Sequence, residues 1–218
     1  MLVGMHITRL PEIRSEILRN EFHRYSCSNC EHTNAVEKKS IYTDFERKHY
    51  VGVELPLLNN WQNKVQIHRK AFEQSFLWGP PIAQNMGHSM ITRVVFGIRA
   101  LREKLIIWDA GLDDRIIEIG KKIVLDEANI DTKQNTLRVI KIKNDSQDIL
   151  FGLYKNPTTQ NVQKQNRLTV SKPLDTVTVF QNQITQWHRN SQHLIENHPW
   201  ARNSWFVDAF VSDLPFKV

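Results

Sequence analysis

Residues 22 to 32 read FHRYSCSNCEH, and this stretch holds both cysteines of the 218-residue chain. Cys27 and Cys30 follow the Cys-x-x-Cys pattern, which places two thiols on one tight turn. Such a turn is typical of half of a tetrahedral zinc site or of a redox dithiol. Because strand-like sequence flanks the cysteines, the stretch predicts a small antiparallel β unit built on the cysteine turn.

The composition is that of a globular protein with a real core. Hydrophobic residues make up 40% of the chain and charged residues 24%, which suits one large domain or two small ones. The formal net charge is +6 and the pI about 9.4, with the cations spread along the chain. This mild excess is compatible with an anionic partner, either an acidic protein surface or a nucleic acid, and equally with plain solubility.

Neither a signal peptide nor a membrane span is predicted. The N-terminus has no long apolar core after a basic start, and no run approaches the ~20 apolar residues of a span. We therefore expect a cytoplasmic protein, in which the two cysteines are thiols or metal-bound thiolates.

Apolar residues recur at helical spacing in five segments. We predict helices over residues 11–22, 61–76, 82–105 (with 87 as an alternative start), 114–127 and 174–195. Gly111 suits the end of the third helix, and Asp113 or Asp114 suits the start of the fourth. These two helices therefore predict a central helical hairpin.

Runs of β-branched and aromatic residues predict the strands. They cover residues 35–42, 48–55, 137–143, 148–154, 167–170 and 204–211, with a polar loop over 156–166. The predicted fold is α+β: a small antiparallel β unit around the Cys-x-x-Cys turn, a central helical hairpin, and a C-terminal β-hairpin plus helix and terminal strand. The break at Trp78-Gly79-Pro80-Pro81 suggests a β-rich part over 1–78 and a second part over 79–218, packed as one compact domain.

Several separated motifs, in a fixed order, resemble the bacterial CpXC domain family, which is named for a Cys-Pro-x-Cys motif. They are Leu18-x-Asn20-x-Phe22-x₄-Cys27-x₂-Cys30, Ile41-Tyr42-x-Asp44, the segments 93–105 and 111–115, and Phe206-Val207-Asp208. Ser28 stands at the family's proline, and Glu31 stands where glycine is common, so the turn is less constrained here. The resemblance implies a fold and a site to inspect, but no activity.

A closed structural zinc site needs four ligands, and Cys27 and Cys30 supply two. The nearby candidates for the others are His23, His32 and His49, with Asp44 a weaker choice. We predict Cys27, Cys30, His32 and His49 as the ligands of a zinc ion. Free structural thiols and a redox pair are the alternatives, although a redox pair prefers a helix start to the strand-like flanks found here.

The remaining charged residues do not predict catalysis. Asp113 and Asp114 suit helix capping, while Arg102, Glu103 and Lys104 suggest a solvated or interhelical charge cluster. The chain also lacks a Gly-rich phosphate loop, a Gly-x-Ser-x-Gly motif and a His-Glu-x-x-His motif. No catalytic residues are therefore predicted.

Trp78 and Trp200 stand beside prolines, where an exposed tryptophan would suit a partner anchor. The leading hypothesis is a non-enzymatic, cytosolic protein-binding module, of the kind that immunity or antitoxin-like proteins use against an acidic bacterial toxin domain. The alternatives are a nucleic-acid-binding protein with a zinc knuckle and a thiol redox protein.

Overall fold

A computed structural model describes residues 3–30, 33–56, 60–132, 134–156, 167–169, 173–202 and 205. Its chain contacts define two compact units. The first contains residues 1–101 and 157–170, and the second contains residues 102–156 and 171–218. The boundary predicted at residue 78 falls inside the first unit. The fold is α+β, as predicted, and none of the described helices has the length and apolar character needed to cross a membrane.

The helices and strands are numbered here in chain order. The helices are α1 (Pro11–Arg19), α2 (Trp61–Phe72), α3 (Pro81–His88), α4 (Ile98–Asp109), α5 (Asp114–Glu127), α6 (Gln181–Arg189) and α7 (Ser191–Asn197). The strands are β1 (Val3–His6), β2 (Arg24–Ser26), β3 (Thr33–Val36), β4 (Ser40–Asp44), β5 (His49–Glu54), β6 (Ile91–Phe96), β7 (Asn135–Ile142), β8 (Ile149–Lys155), β9 (Arg167–Thr169) and β10 (Asp175–Val179). A π-helical turn over Glu73–Leu77 follows α2, and a 3₁₀ turn covers Pro199–Arg202.

The first unit contains a mixed four-stranded sheet in the order β1–β4–β5–β6. β1 runs parallel to β4 and β5 runs parallel to β6, whereas β4 and β5 form an antiparallel pair. The predicted helix over 61–76 is present as α2 and its π-helical turn. Its buried side chains recur at helical spacing and are Trp61, Val65, His68 and Phe72. The Phe72 ring packs edge-on against Tyr50 of β5, with 4.9 Å between the ring centroids.

The prediction of one helix over residues 82–105 was wrong. Residues 81–88 and 98–109 are helical, but Ile91–Phe96 form β6, which pairs with β5 in a buried ladder. Val94 and Val95 fit both the apolar stripe of a helix and a buried parallel strand, so periodicity alone could not distinguish the helix from the strand. Gly97, with φ +92°, then provides the left-handed turn into α4.

The second unit contains an antiparallel sheet in the order β10–β8–β7 and the helices that pack on it. The predicted β7–β8 hairpin is present. The predicted central helical hairpin is also present as α4 and α5, and the Asp113 side chain caps α5 by accepting a hydrogen bond from the Arg115 backbone N–H at 2.9 Å. Its core draws on α4, α5, β7, β8 and α6, through side chains that include Ile107, Ile117, Val139, Phe151 and Trp187.

The prediction of one helix over residues 174–195 was wrong at its start. Asp175–Val179 form β10, which pairs with β8, and helical structure begins only at Gln181. Val177 and Val179 are β-branched, and an open edge of the hairpin gives them strand partners. Of the predicted terminal strand over 204–211, only Trp205 lies within the described residues, and it is buried.

Candidate functional site

The two cysteines lie at the tip of a small β unit in the first unit, as the sequence predicted. β2 and β3 pair antiparallel up to Ser26 and Thr33, and β9 adds a third strand on the other side of β3. Cys27 and Cys30 lie close together in the connecting turn, and both are exposed. The turn therefore presents both thiols to solvent.

The turn also favours the thiolate form of Cys27. The backbone N–H of Asn29 lowers the pKa of the Cys27 thiol most, and the backbone and side chain of Cys30 lower it further. Backbone donors stabilise the negative charge on sulfur, since a charge-assisted hydrogen bond favours the ionised acceptor. A thiolate is the form that binds zinc and the form that acts as a nucleophile.

The other predicted metal ligands lie in different situations. His49 is the first residue of β5, where it pairs with Asp44 in the ladder and is buried, and His32 lies outside the described residues. Within the described part of the chain, no three or more His, Cys, Asp or Glu side chains are grouped so that they could hold a metal ion. The described residues therefore do not place His49 with Cys27 and Cys30 in a metal-binding group, and the role predicted for His32 as a zinc ligand stays a prediction.

The weaker candidates His23 and Asp44 have structural surroundings of their own. The His23 ring stacks on Phe22 with 3.9 Å between centroids, and burial, aided by the charge of Lys38, lowers its pKa. The Asp44 carboxylate is buried, accepts a hydrogen bond from the Arg47 backbone N–H at 3.0 Å, and forms an ion pair with the Arg47 side chain at 3.3 Å. The carboxylate thus holds the turn between β4 and β5.

A cluster of buried charges lies within the second unit. It consists of three carboxylates and three cations: Glu103, Asp114, Glu118, Lys104, Lys121 and Arg138. Lys104 bridges Asp114 and Glu118 at 3.0 and 2.9 Å, and Arg138 pairs with Glu103 at 2.8 Å. The cluster is interhelical but not solvated, and its balanced charges hold α4, α5 and β7 together.

Among the described residues of the first unit, the two most exposed large apolar side chains lie on α3 and just before it. Trp78 is 70% exposed, Ile82 is 73% exposed, and Met86 is 38% exposed. Ile82 and Met86 are four residues apart on α3 and so share one face, whereas Trp78 lies before the helix, at the end of the π-helical turn. We call Trp78, Ile82 and Met86 the α3 face.

Internal packing of the same helix uses its other side. A Cβ atom added to Gly87 would lie 2.8 Å from Cβ of Phe76, and one added to Gly79 would lie 3.2 Å from Cβ of Ala83. Phe76 in turn contacts Phe72 and Tyr50, with centroid distances of 4.9 and 6.0 Å. α3 is therefore anchored through its small residues while its large apolar residues point outward.

The α3 face lies in a segment without formal charge. Residues 74 to 92 contain no Asp, Glu, Lys or Arg, although such residues form 24% of the chain. Depletion of charge together with aromatic residues and methionine is the composition of an interface core. This signal is visible in the sequence, but the search for catalytic and metal-binding motifs missed it.

The two tryptophans predicted as partner anchors have opposite environments. Trp78 is exposed, which leaves its indole available to a partner, but Trp200 is only 5% exposed and belongs to the core. The prediction for Trp200 was wrong because the 3₁₀ turn at Pro199–Arg202 directs this side chain inward.

Comparison with known families identifies the chain. The model of the family described as "CpXC protein" matches residues 5–121. This range includes the cysteine turn, almost all of the four-stranded sheet, the α3 face and most of the helical hairpin. Searches of curated proteins and of solved structures found no match. Because the family model covers more than half of the 218 residues, the chain belongs to the CpXC protein family.

Proposed function

We propose that this protein is a non-enzymatic binding module that recognises another protein through the α3 face. The observation that carries the proposal is the 70% exposure of Trp78 beside the 73% exposure of Ile82 in a charge-free segment. Exposing these side chains to water costs free energy that contact with a partner would recover. Tryptophan is also enriched among the residues that dominate binding energy in protein interfaces.

The chemistry of the α3 face favours a protein over a nucleic acid. Binding to a nucleic acid depends on Lys and Arg side chains that neutralise phosphates. The segment 74–92 supplies neither, and its exposed apolar groups include an indole, an isoleucine and a thioether. These side chains suit an apolar pocket on a protein surface.

The net charge of the chain favours an acidic partner. The chain carries a net charge of +6, and Lys70 in the last turn of α2 is exposed. An apolar face on a protein of positive net charge complements an acidic protein that has an apolar pocket. An immunity or antitoxin-like role against an acidic toxin domain is the form of this function that we favour.

The proposal is tested by affinity capture from a lysate of the source cells, treated with nuclease so that nucleic acid cannot bridge proteins. The wild-type chain is compared with Trp78→Ala/Ile82→Ala and with the control Phe180→Ala, which removes an aromatic side chain that is 61% exposed in the second unit. We expect an acidic protein retained by wild type and Phe180→Ala and lost from the double variant. Equal retention by all three chains, or salt-sensitive binding of nucleic acid alone in a filter assay, would contradict the proposal.

A further inference from the structure

The cysteine turn offers two ligands for a metal ion. Cys27 and Cys30 lie close together, and both are exposed. The turn therefore supplies two of the four ligands that zinc requires in a tetrahedral site.

The missing ligands do not come from the described part of the same chain. No third His, Cys, Asp or Glu side chain is grouped there with the two thiols. The full sequence contains no further cysteine, so a site with four thiolates needs a second copy of the chain. Two copies related by a two-fold axis through the metal would each contribute the same pair of residues.

The tip of the β unit allows this approach. In a tetrahedral site with Zn–S bonds of about 2.3 Å, sulfur atoms of the two copies lie about 3.8 Å apart, so the two turns must touch. Residues 25 to 30 contain no Asp, Glu, Lys or Arg, so within these residues only the thiolates carry charge, which the zinc ion offsets. Ser28 and Asn29 between the cysteines are small and exposed, and so leave room for the second turn.

We propose that one zinc ion joins two copies of this protein through Cys27 and Cys30 of each. Four Zn–S bonds form, and every thiol that is still protonated releases its proton to solvent, so no oxidant or reductant takes part. The dimer is then a zinc-dependent state of the protein, and its metal ligands include none of the residues of the α3 face.

The test measures bound metal and molecular mass on the purified full chain, kept reduced with a phosphine. After loading with zinc chloride and removal of free metal, we expect about 0.5 zinc per chain and a mass by light scattering of twice 25.6 kDa. A strong chelator should return the monomer. Cys27→Ser should bind no zinc and stay monomeric, with an unchanged circular dichroism spectrum because the thiol is exposed.

Two further variants separate the alternatives. His32→Ala should keep both the zinc and the dimer, and Trp78→Ala/Ile82→Ala should do the same, which makes this result independent of the proposed protein-binding function. One zinc per monomeric chain, zinc lost in His32→Ala, a dimer that persists in Cys27→Ser, or a chain that retains no zinc would each overturn the inference.

Discussion

Lys121 donates a hydrogen bond from Nζ to Oε1 of Glu103 at 3.0 Å, and neither side chain is more than 1% exposed. Lys121 also pairs with Glu118 on its own helix at 2.6 Å. Glu103 accepts a second hydrogen bond from the Val139 backbone N–H at 2.8 Å, which ties α4 to β7. The charges are buried but fully compensated. Removing one of these charged side chains would leave its partner buried without a counter-charge and so lower the free energy of unfolding.

The first prediction concerns Lys121. Replacement by methionine keeps most of the side-chain volume but leaves Glu103 and Glu118 without their shared cation. We expect the free energy of unfolding to fall by about 3–5 kcal/mol, measured by urea denaturation. The matched control is Lys122→Met on the same helix, whose partner Asp126 is 56% exposed. It should cost less than about 1 kcal/mol, and equal losses in the two variants would refute the structural role given to Lys121.

The second prediction concerns acid stability. Burial alone raises the pKa of Glu103, but the charges of Lys121, Arg138 and Lys104 outweigh it and bring the pKa below its ordinary value of 4.5. A carboxyl group whose pKa is lowered by folding stabilises the protein above its unfolded pKa, and this contribution is lost as the pH falls through the folded pKa. The wild type should therefore lose stability below pH 4.5.

Glu103→Gln separates this contribution from that of the other acids. The variant should be less stable than wild type at pH 7, and the difference should shrink as unfolding is measured at pH 5, 4 and 3. A difference that stays constant across this range would mean that the ionised carboxylate of Glu103 is not what stabilises the second unit.

The third prediction concerns the close approach of α2 to β5. A Cβ atom added to Gly52 would lie 2.4 Å from Nδ1 of His68, whose Nε2 lies 3.2 Å from Oε1 of Glu54. Gly52→Ala should therefore cost about 1–3 kcal/mol by overpacking. In a His68→Ala background the same substitution should cost at least about 1 kcal/mol less, because the clash is gone. An additive double-mutant cycle would show that the two residues do not compete for this space.

The fourth prediction separates an interface tryptophan from a core tryptophan. Trp187 is 6% exposed, and its ring lies 2.2 Å from the position of a Cβ atom on Gly120. Trp187→Ala should cost about 3–5 kcal/mol, whereas Trp78→Ala should change stability by less than about 0.5 kcal/mol. Thermal unfolding of the two variants measures these changes in stability. A large loss of stability in Trp78→Ala would show that this side chain serves folding.

The sequence predicted the parts of the fold that have local signals. The cysteine turn, the β7–β8 hairpin and the cap at Asp113 each depend on residues close together in the chain. β6 and β10 were missed because the partner strand, rather than the local residues, decides between helix and strand at Val94 and Val177. Pairing between strands that are distant in the sequence cannot be predicted from the spacing of apolar residues alone.

The same limit applies to the candidate site. The turn at Cys27 and Cys30 was predicted from the sequence, but the ladder position of His49, opposite Asp44, depends on strand register. The burial of Glu103 and Lys104 could not be foreseen either, because their partners Glu118, Lys121 and Arg138 come from other elements. The absence of charged residues around Trp78, in contrast, is visible in the sequence, but it was not recognised as a sign of a binding surface.

Calorimetric titration of the captured acidic partner with wild type, Trp78→Ala and Phe180→Ala shows whether the α3 face binds that partner. We predict at least about 30-fold weaker binding for Trp78→Ala, which corresponds to a loss of about 2 kcal/mol at an interface anchor. Phe180→Ala should bind within about twofold of wild type, because surface substitutions outside the contact change little. Binding by Trp78→Ala that equals wild type would contradict the assignment of the α3 face as the protein-binding surface.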